Sequence, residues 1–180
     1  MGFICVEVFS MKKYIKILAP LVALVVFAVS MHGCMLAPKD WYIMTLRYYQ
    51  DGYASGWANE RPDIKVYDVL KRRPSKSGYL LTDLDGDGDE ELLIGFTDIA
   101  GATRFTDVFA WNREDGAYHA LSKNEGCYIY LCADNILRVD FSNGVTTTSR
   151  FLRFDHKSNS FKEIEGEYAP MMIDLHSFWS

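Results

Sequence analysis

The sequence predicts a mainly β (α+β) protein: an antiparallel meander of about eight strands in two blade-like four-stranded units, with an N-terminal helix packed on the sheet. Three observations predict it. Beyond the N-terminal apolar run, helical spacing of apolar residues is confined to the segment before residue 78. Alternation of period two takes over from Tyr79, and the alternating part repeats itself. "VFAWNREDGAYHAL" (Val108 to Leu121) and "FLRFDHKSNSFKEI" (Phe151 to Ile164) align position for position, with Trp111 opposite Phe154, Gly116 opposite Asn159 and Tyr118 opposite Phe161.

The first element is a helix that Asp40 can cap and that ends before Gly52, with an apolar arc of Trp41, Met44, Leu46, Tyr48 and Tyr49. A loop, "GYASGWANE", leads to a second helical candidate from Pro62 to Arg72, where Ile64, Tyr67 and Leu70 share a face and Pro74 ends the run. "YLLTD" and "ELLIGF" then flank an acidic loop, and the hairpin beginning at Val108 follows. In the second unit "YIYLC" and "ILRVDF" flank the short turn "ADN" before the hairpin beginning at Phe151. The offset resembles a propeller-blade period, but two units cannot close a ring that needs about four blades, so a meander curved on itself is the simpler architecture. In "CYIYLC" the residues Cys127, Ile129 and Leu131 make one face and Tyr128, Tyr130 and Cys132 the other, so both faces call for cover by core or helix, or the tyrosines form a platform for sugar rings.

The chain divides into an export signal (1–33), a lead-in of lipidated cysteine, helix and linker (34–78), the β domain (79–168) and a tail (169–180). Lys12 and Lys13 precede an apolar run from Ile17 to Val29, which is the layout of a bacterial export signal. As a helix that run would be roughly 20 Å long against the ~30 Å of a bilayer core, so cleavage is favoured over a permanent span. Residues 1–10, which include Glu7, lie upstream of the basic start and point to Met11 as the true first residue. "MHGC" resembles the lipobox of bacterial lipoproteins, which implies that Cys34 carries diacylglycerol and tethers the domain to the membrane. Met31 and His32 depart from that pattern, and cleavage after Ser30 is the other reading. Both put the domain outside the cytosol.

Cleavage before Cys34 removes Lys12, Lys13, Lys16 and Glu7 from totals of 19 basic and 24 acidic residues. The remaining 16 and 23 give a net charge of −7, which disfavours nucleic acid as a partner and suits cation binding. Cys127 and Cys132 are five residues apart in a strand-like run, roughly 17 Å, so they are read as free buried thiols.

The chemistry concentrates in "TDLDGDGDEELLIGF" (Thr82 to Phe96). Asp83, Asp85 and Asp87 stand at positions 1, 3 and 5 of a tight loop, Gly88 at position 6 where the backbone turns, and Glu91 at position 9. Alternating short carboxylates on a coiled turn suit calcium, which takes six to eight oxygens at ~2.3–2.6 Å. Position 12 is Ile94, not the bidentate glutamate of an EF-hand. The loop resembles the strand-loop-strand calcium loops of FG-GAP and VCBS repeats. That resemblance implies ligands from Asp83, Asp85, Asp87, the carbonyl of Asp89 and the side chain of Glu91. The layout of signal, cysteine, helix, acidic loop and meander also resembles uncharacterised lipoproteins of gut-type Gram-positive bacteria. The plainer alternative is an acidic hairpin turn, yet at least four carboxylates within a few ångströms repel one another without a cation.

The expected function is that of a non-catalytic, membrane-tethered binding or structural module with a protein or glycan ligand. The alternative is a glycan hydrolase using acids of the loop. "GYASG" lacks the spacing of a nucleophile elbow, no HExxH or zinc spacing occurs, and His119, His156 and His176 are read as surface or terminal residues. The loop Thr97 to Asp107, with Arg104, is expected to form a ligand-facing rim beside the calcium turn.

Overall fold

The computed structural model describes residues 38–58, 60–61, 64, 66–112, 116–123 and 127–179. The expected export signal and Cys34 lie outside the described residues. Among those described, no helix is long and apolar enough to cross a membrane.

Helix α1 spans Pro38–Ser55, and Asp40 sits in its first turn, not at its cap. It runs through Gly52 because that glycine makes room for Trp57. A Cβ at residue 52 would lie 2.4 Å from the Trp57 ring. That ring packs edge-on against Tyr48, Tyr49 and Tyr53. Left-handed backbone at Gly56 and Trp57 then ends the helix. The buried stripe is Tyr42, Leu46, Tyr49 and Tyr53, at steps of four, three and four. The expected arc straddled two faces: Leu46, Tyr48 and Tyr49 pack inward, whereas Trp41 and Met44 are exposed. The second helix, α2, is one short piece, Asp68–Arg72. Buried Ile64 and Val66, two residues apart, precede Tyr67 in extended backbone, so the described part of the expected 62–72 helix is helical only at its end.

Nine strands follow among the described residues: β1 (Ser77–Thr82), β2 (Glu91–Thr97), β3 (Thr103–Asn112), β4 (Gly116–Ser122), β5 (Cys127–Leu131), β6 (Leu137–Ser142), β7 (Thr147–Asp155), β8 (Ser160–Ile164) and β9 (His176–Ser177). They form one sheet in the order β8-β7-β6-β5-β3-β2-β1-β9, with β4 also on β3, and every pairing is antiparallel. The two expected four-stranded units, β1–β4 and β5–β8, are thus present. They join along β3, whose first part pairs with β5 through Phe105 and Ile129 and whose second part, Asp107–Asn112, pairs with β4. Thr106 is an extra residue opposite Ile94 and Gly95, a bulge that keeps Phe105 and Val108 on one face and turns Asp107 to the other.

The ninth strand was not expected. Residues His176–Ser177 return to pair with Tyr79 and Gly78, and Phe178 is 1% exposed, stacked on Tyr49 at 5.3 Å. The tail is mostly exposed but is anchored by Phe178.

Alternation divides the interior into two cores. Leu92, Ile94 and Phe96 of β2, with Phe109 of β3, meet Tyr42, Tyr49, Leu70 and Phe178 on the helix side. Leu93, Phe105 and Val108 meet Cys127, Ile129, Leu131, Leu137, Val139 and Phe154 on the other. One sheet can supply both halves of this second core only by curling round it. Tyr128 and Tyr130 are half-buried under cations and not under the helix: the Arg104 guanidinium lies 4.4 Å from the Tyr128 ring centre and the Lys123 amine 5.1 Å from it. Cys127 and Cys132 are free and buried.

Candidate metal centre

The acidic loop joins β1 to β2 and turns at Gly86, φ 80°, and Gly88, φ 95°, backbone that side-chain-bearing residues avoid. Backbone N–H groups aim its carboxylates. Asp83 accepts from Gly86 and Gly88 at 2.7 and 3.0 Å, Asp85 from Asp87 at 3.2 Å, Asp87 from Asp89 at 2.8 Å, and Glu91 from Leu84 at 2.7 Å. Each carboxylate keeps lone pairs for a further partner.

Asp83, Asp85 and Glu91 each bring one oxygen within 4.8 Å of the others. Two oxygens bound to one calcium ion lie at most about 5 Å apart, so the three can share an ion. Their burial is hard to reconcile with bare charge. Glu91 is 4% exposed, and its carboxyl is pushed up to about 8, first by burial and then by Asp85, Asp87 and Asp83, despite the Leu84 N–H. Asp85 is also raised, by burial first and by Asp87 second. Its side chain is 3% exposed, and its Oδ2 is buried with no hydrogen-bond partner. A cation would satisfy that oxygen and neutralise the cluster. The cluster can therefore hold a metal, and its oxygen donors fit a hard ion such as calcium.

Asp87 falls in a second group with Asp85 and His156, whose donor atoms also lie within 4.8 Å of one another. Asp89 supplies no side chain to either group. The resemblance assigns it through its carbonyl.

Two neighbours of the loop were not expected. Asn135, in the 3-10 turn Ala133–Asn135 that replaces the acidic loop in the second unit, donates from Nδ2 to the carbonyl of Asp83 at 2.6 Å. His156, read from the sequence as a surface residue, places Nδ1 3.6 Å from Asp85 Oδ2. Both come from turns at the same end of the meander, and curling of the sheet carries them across to the first unit. By strand order these turns lie at the end of the sheet opposite the acidic loop, so strand order alone does not show the contact.

The expected rim beside the calcium turn is not there. Strand β2 runs from the acidic loop at Glu91 to Thr97, so residues 98–102 lie at its opposite end, about 20 Å away. Arg104 is inside β3, paired with Asp98 at 2.7 Å and lying over Tyr128. His119 is more than a solvated surface group. Its ring stacks on Phe109 at 4.6 Å, and its Nε2 is 2.7 Å from Oδ1 of Asp107, which is fully buried. Asp107 also accepts from Ser122 Oγ at 3.1 Å and Tyr49 O–H at 3.5 Å. Ser122 therefore donates to the aspartate and not to the histidine, the wrong order for a serine activated by a base. The network ties α1 to β3 and β4.

Compared with known proteins, the chain matches no family model, no curated protein and no solved structure.

Proposed function

We propose that the protein is a membrane-tethered extracytoplasmic domain whose β1–β2 hairpin is stabilised by calcium, and that it acts as a non-catalytic binding or structural module. The observation that carries the metal reading is the convergence of Asp83, Asp85 and Glu91, with one oxygen of Asp85 buried and without a hydrogen bond. Bound calcium would remove the repulsion among these carboxylates and fix the register of the hairpin. Through Asn135 it would also steady the turn between β5 and β6. Tethering rests on the sequence alone, on the apolar run followed by Cys34. The non-catalytic reading is supported by the loop's carboxylates, which serve better as ligands than as an acid–base pair, and by the inward use of His119 and Asp107.

Thermal melting with and without calcium, on wild type and Asp85→Ala, tests the reading. Extracellular calcium modules bind at ~10⁻⁴–10⁻³ M, so about 10 mM calcium should stabilise the wild type by about 1.4–2.7 kcal/mol. The variant should show no such rise. A wild type indifferent to millimolar calcium would reduce the loop to an acidic turn.

A further inference from the structure

The group Asp85, Asp87 and His156 joins two residues of the calcium pattern to a donor outside it, since that pattern supplies oxygen donors from a single loop. Its third member is a nitrogen donor from the β7–β8 turn, which lies beyond β3, β5 and β6 in the strand order. We infer that Asp85, Asp87 and His156 form a binding site for a transition-metal dication of the zinc or cobalt class, clasping the β7–β8 turn to the β1–β2 loop.

Three observations carry this. First, the 3.6 Å between His156 Nδ1 and Asp85 Oδ2 is too long for a hydrogen bond. It is instead close to the ~3.4 Å edge of a tetrahedron whose metal bonds are ~2.0–2.1 Å. Second, Asp85 Oδ2 is buried, on a side chain only 3% exposed, and accepts no hydrogen bond, so the oxygen facing the imidazole has an unfilled role. Third, the His156 side chain is 49% exposed, which leaves the metal a path from solvent and a fourth position for water. The donor set decides the class of ion. Imidazole with two carboxylates suits zinc, cobalt or nickel, whereas calcium and magnesium prefer oxygen alone.

The inference shares Asp85 and Asp87 with the calcium reading, but His156 and Glu91 separate the two. Glu91 belongs only to the oxygen group and His156 only to the nitrogen-bearing one. A bridging Asp85 carboxylate would couple them, so filling one site orders a ligand of the other.

Calorimetric titration of the full chain with zinc chloride in calcium-free buffer tests the site, with cobalt(II) absorption in the visible region as an independent report of nitrogen ligation. The wild type should bind one equivalent. His156→Ala, an exposed turn substitution, should weaken zinc by more than the roughly 10–100-fold cost of removing a ligand's supporting partner. The same variant should keep the calcium-dependent rise in melting temperature. Equal zinc affinity in wild type and His156→Ala would overturn the inference, because the zinc would then be bound elsewhere. Absence of zinc binding by the wild type would overturn it as well, leaving His156 and Asp85 as an ordinary ion pair. Failure of the calcium reading alone would look different: no calcium response in either protein, with zinc still lost in His156→Ala.

Discussion

Replacing Glu91 with glutamine gives the sharpest test of whether the loop needs a cation. The buried carboxyl is pushed up to about 8 in the folded, metal-free protein, against an ordinary value of 4.5. The folded state therefore holds its proton more tightly than the unfolded one. Stability is fully present below about pH 4.5 and is lost as the pH rises toward about 8. At about pH 7.5, three pH units above the ordinary value at 1.36 kcal/mol each set an upper limit of about 4 kcal/mol. Solvent screening at this loop lowers that to about 2–3 kcal/mol, or roughly 5–10 °C in Tm for a domain of this size. Glu91→Gln keeps an oxygen to accept the Leu84 N–H and removes the charge. In calcium-free buffer it should melt roughly 5–10 °C above the wild type at about pH 7.5 and level with it at about pH 5. Calcium should raise the wild type toward the variant at the higher pH and do little for Glu91→Gln. Melting followed by circular dichroism across that range, in chelator and in millimolar calcium, measures all four arms. If Glu91→Gln melts below the metal-free wild type at about pH 7.5, or keeps a full calcium response, Glu91 is not a charge that the cation compensates.

Two further outcomes follow from the packing. Phe178→Ala removes a ring that is 1% exposed and stacked among Tyr49, Tyr53 and Tyr79, so chemical denaturation should show a loss of about 3–5 kcal/mol. A loss under about 1 kcal/mol would mean that the tail is not an anchor. Arg104→Ala removes the pair with Asp98 and the cover over Tyr128, and should cost about 1–2 kcal/mol while leaving the calcium response intact at the far end of β2. Unchanged stability would return residues 97–107 to consideration as a contact surface.

The parts of the fold that are local were legible in the residues. Period-two alternation, the repeat from Val108 to Ile164 and the turn residues between strands correspond to the eight-strand meander that the structure contains. The helix was legible as an element, but its facing was not. Aromatic residues cover so much of its surface that size alone could not separate Tyr42 and Tyr53, which are in, from Trp41 and Met44, which are out. Strand β9 was hidden because two residues cannot carry a periodic signal, and only the edge of β1 gives them a partner.

The candidate metal site divides along the same line. Asp83, Asp85, Asp87, Gly88 and Glu91 were recognisable because a loop that coils round an ion takes its ligands at fixed local spacing, and the aspartates and Gly88 needed no distant contact to identify them. Local spacing does not report burial. That Glu91 is enclosed, that one oxygen of Asp85 is buried without a hydrogen-bond partner, and that Asn135 and His156 stand against the loop are consequences of the sheet curling round Phe105, Val108, Ile129 and Leu137. Curvature is set by how two apolar faces close over a shared core and by a bulge at Thr106, and is spread over too many residues to be written at any one. Local spacing is enough to mark the carboxylates that can meet an ion. The tertiary structure alone decided what surrounds them, because burial and long-range contact belong to the packed sheet and not to the strand.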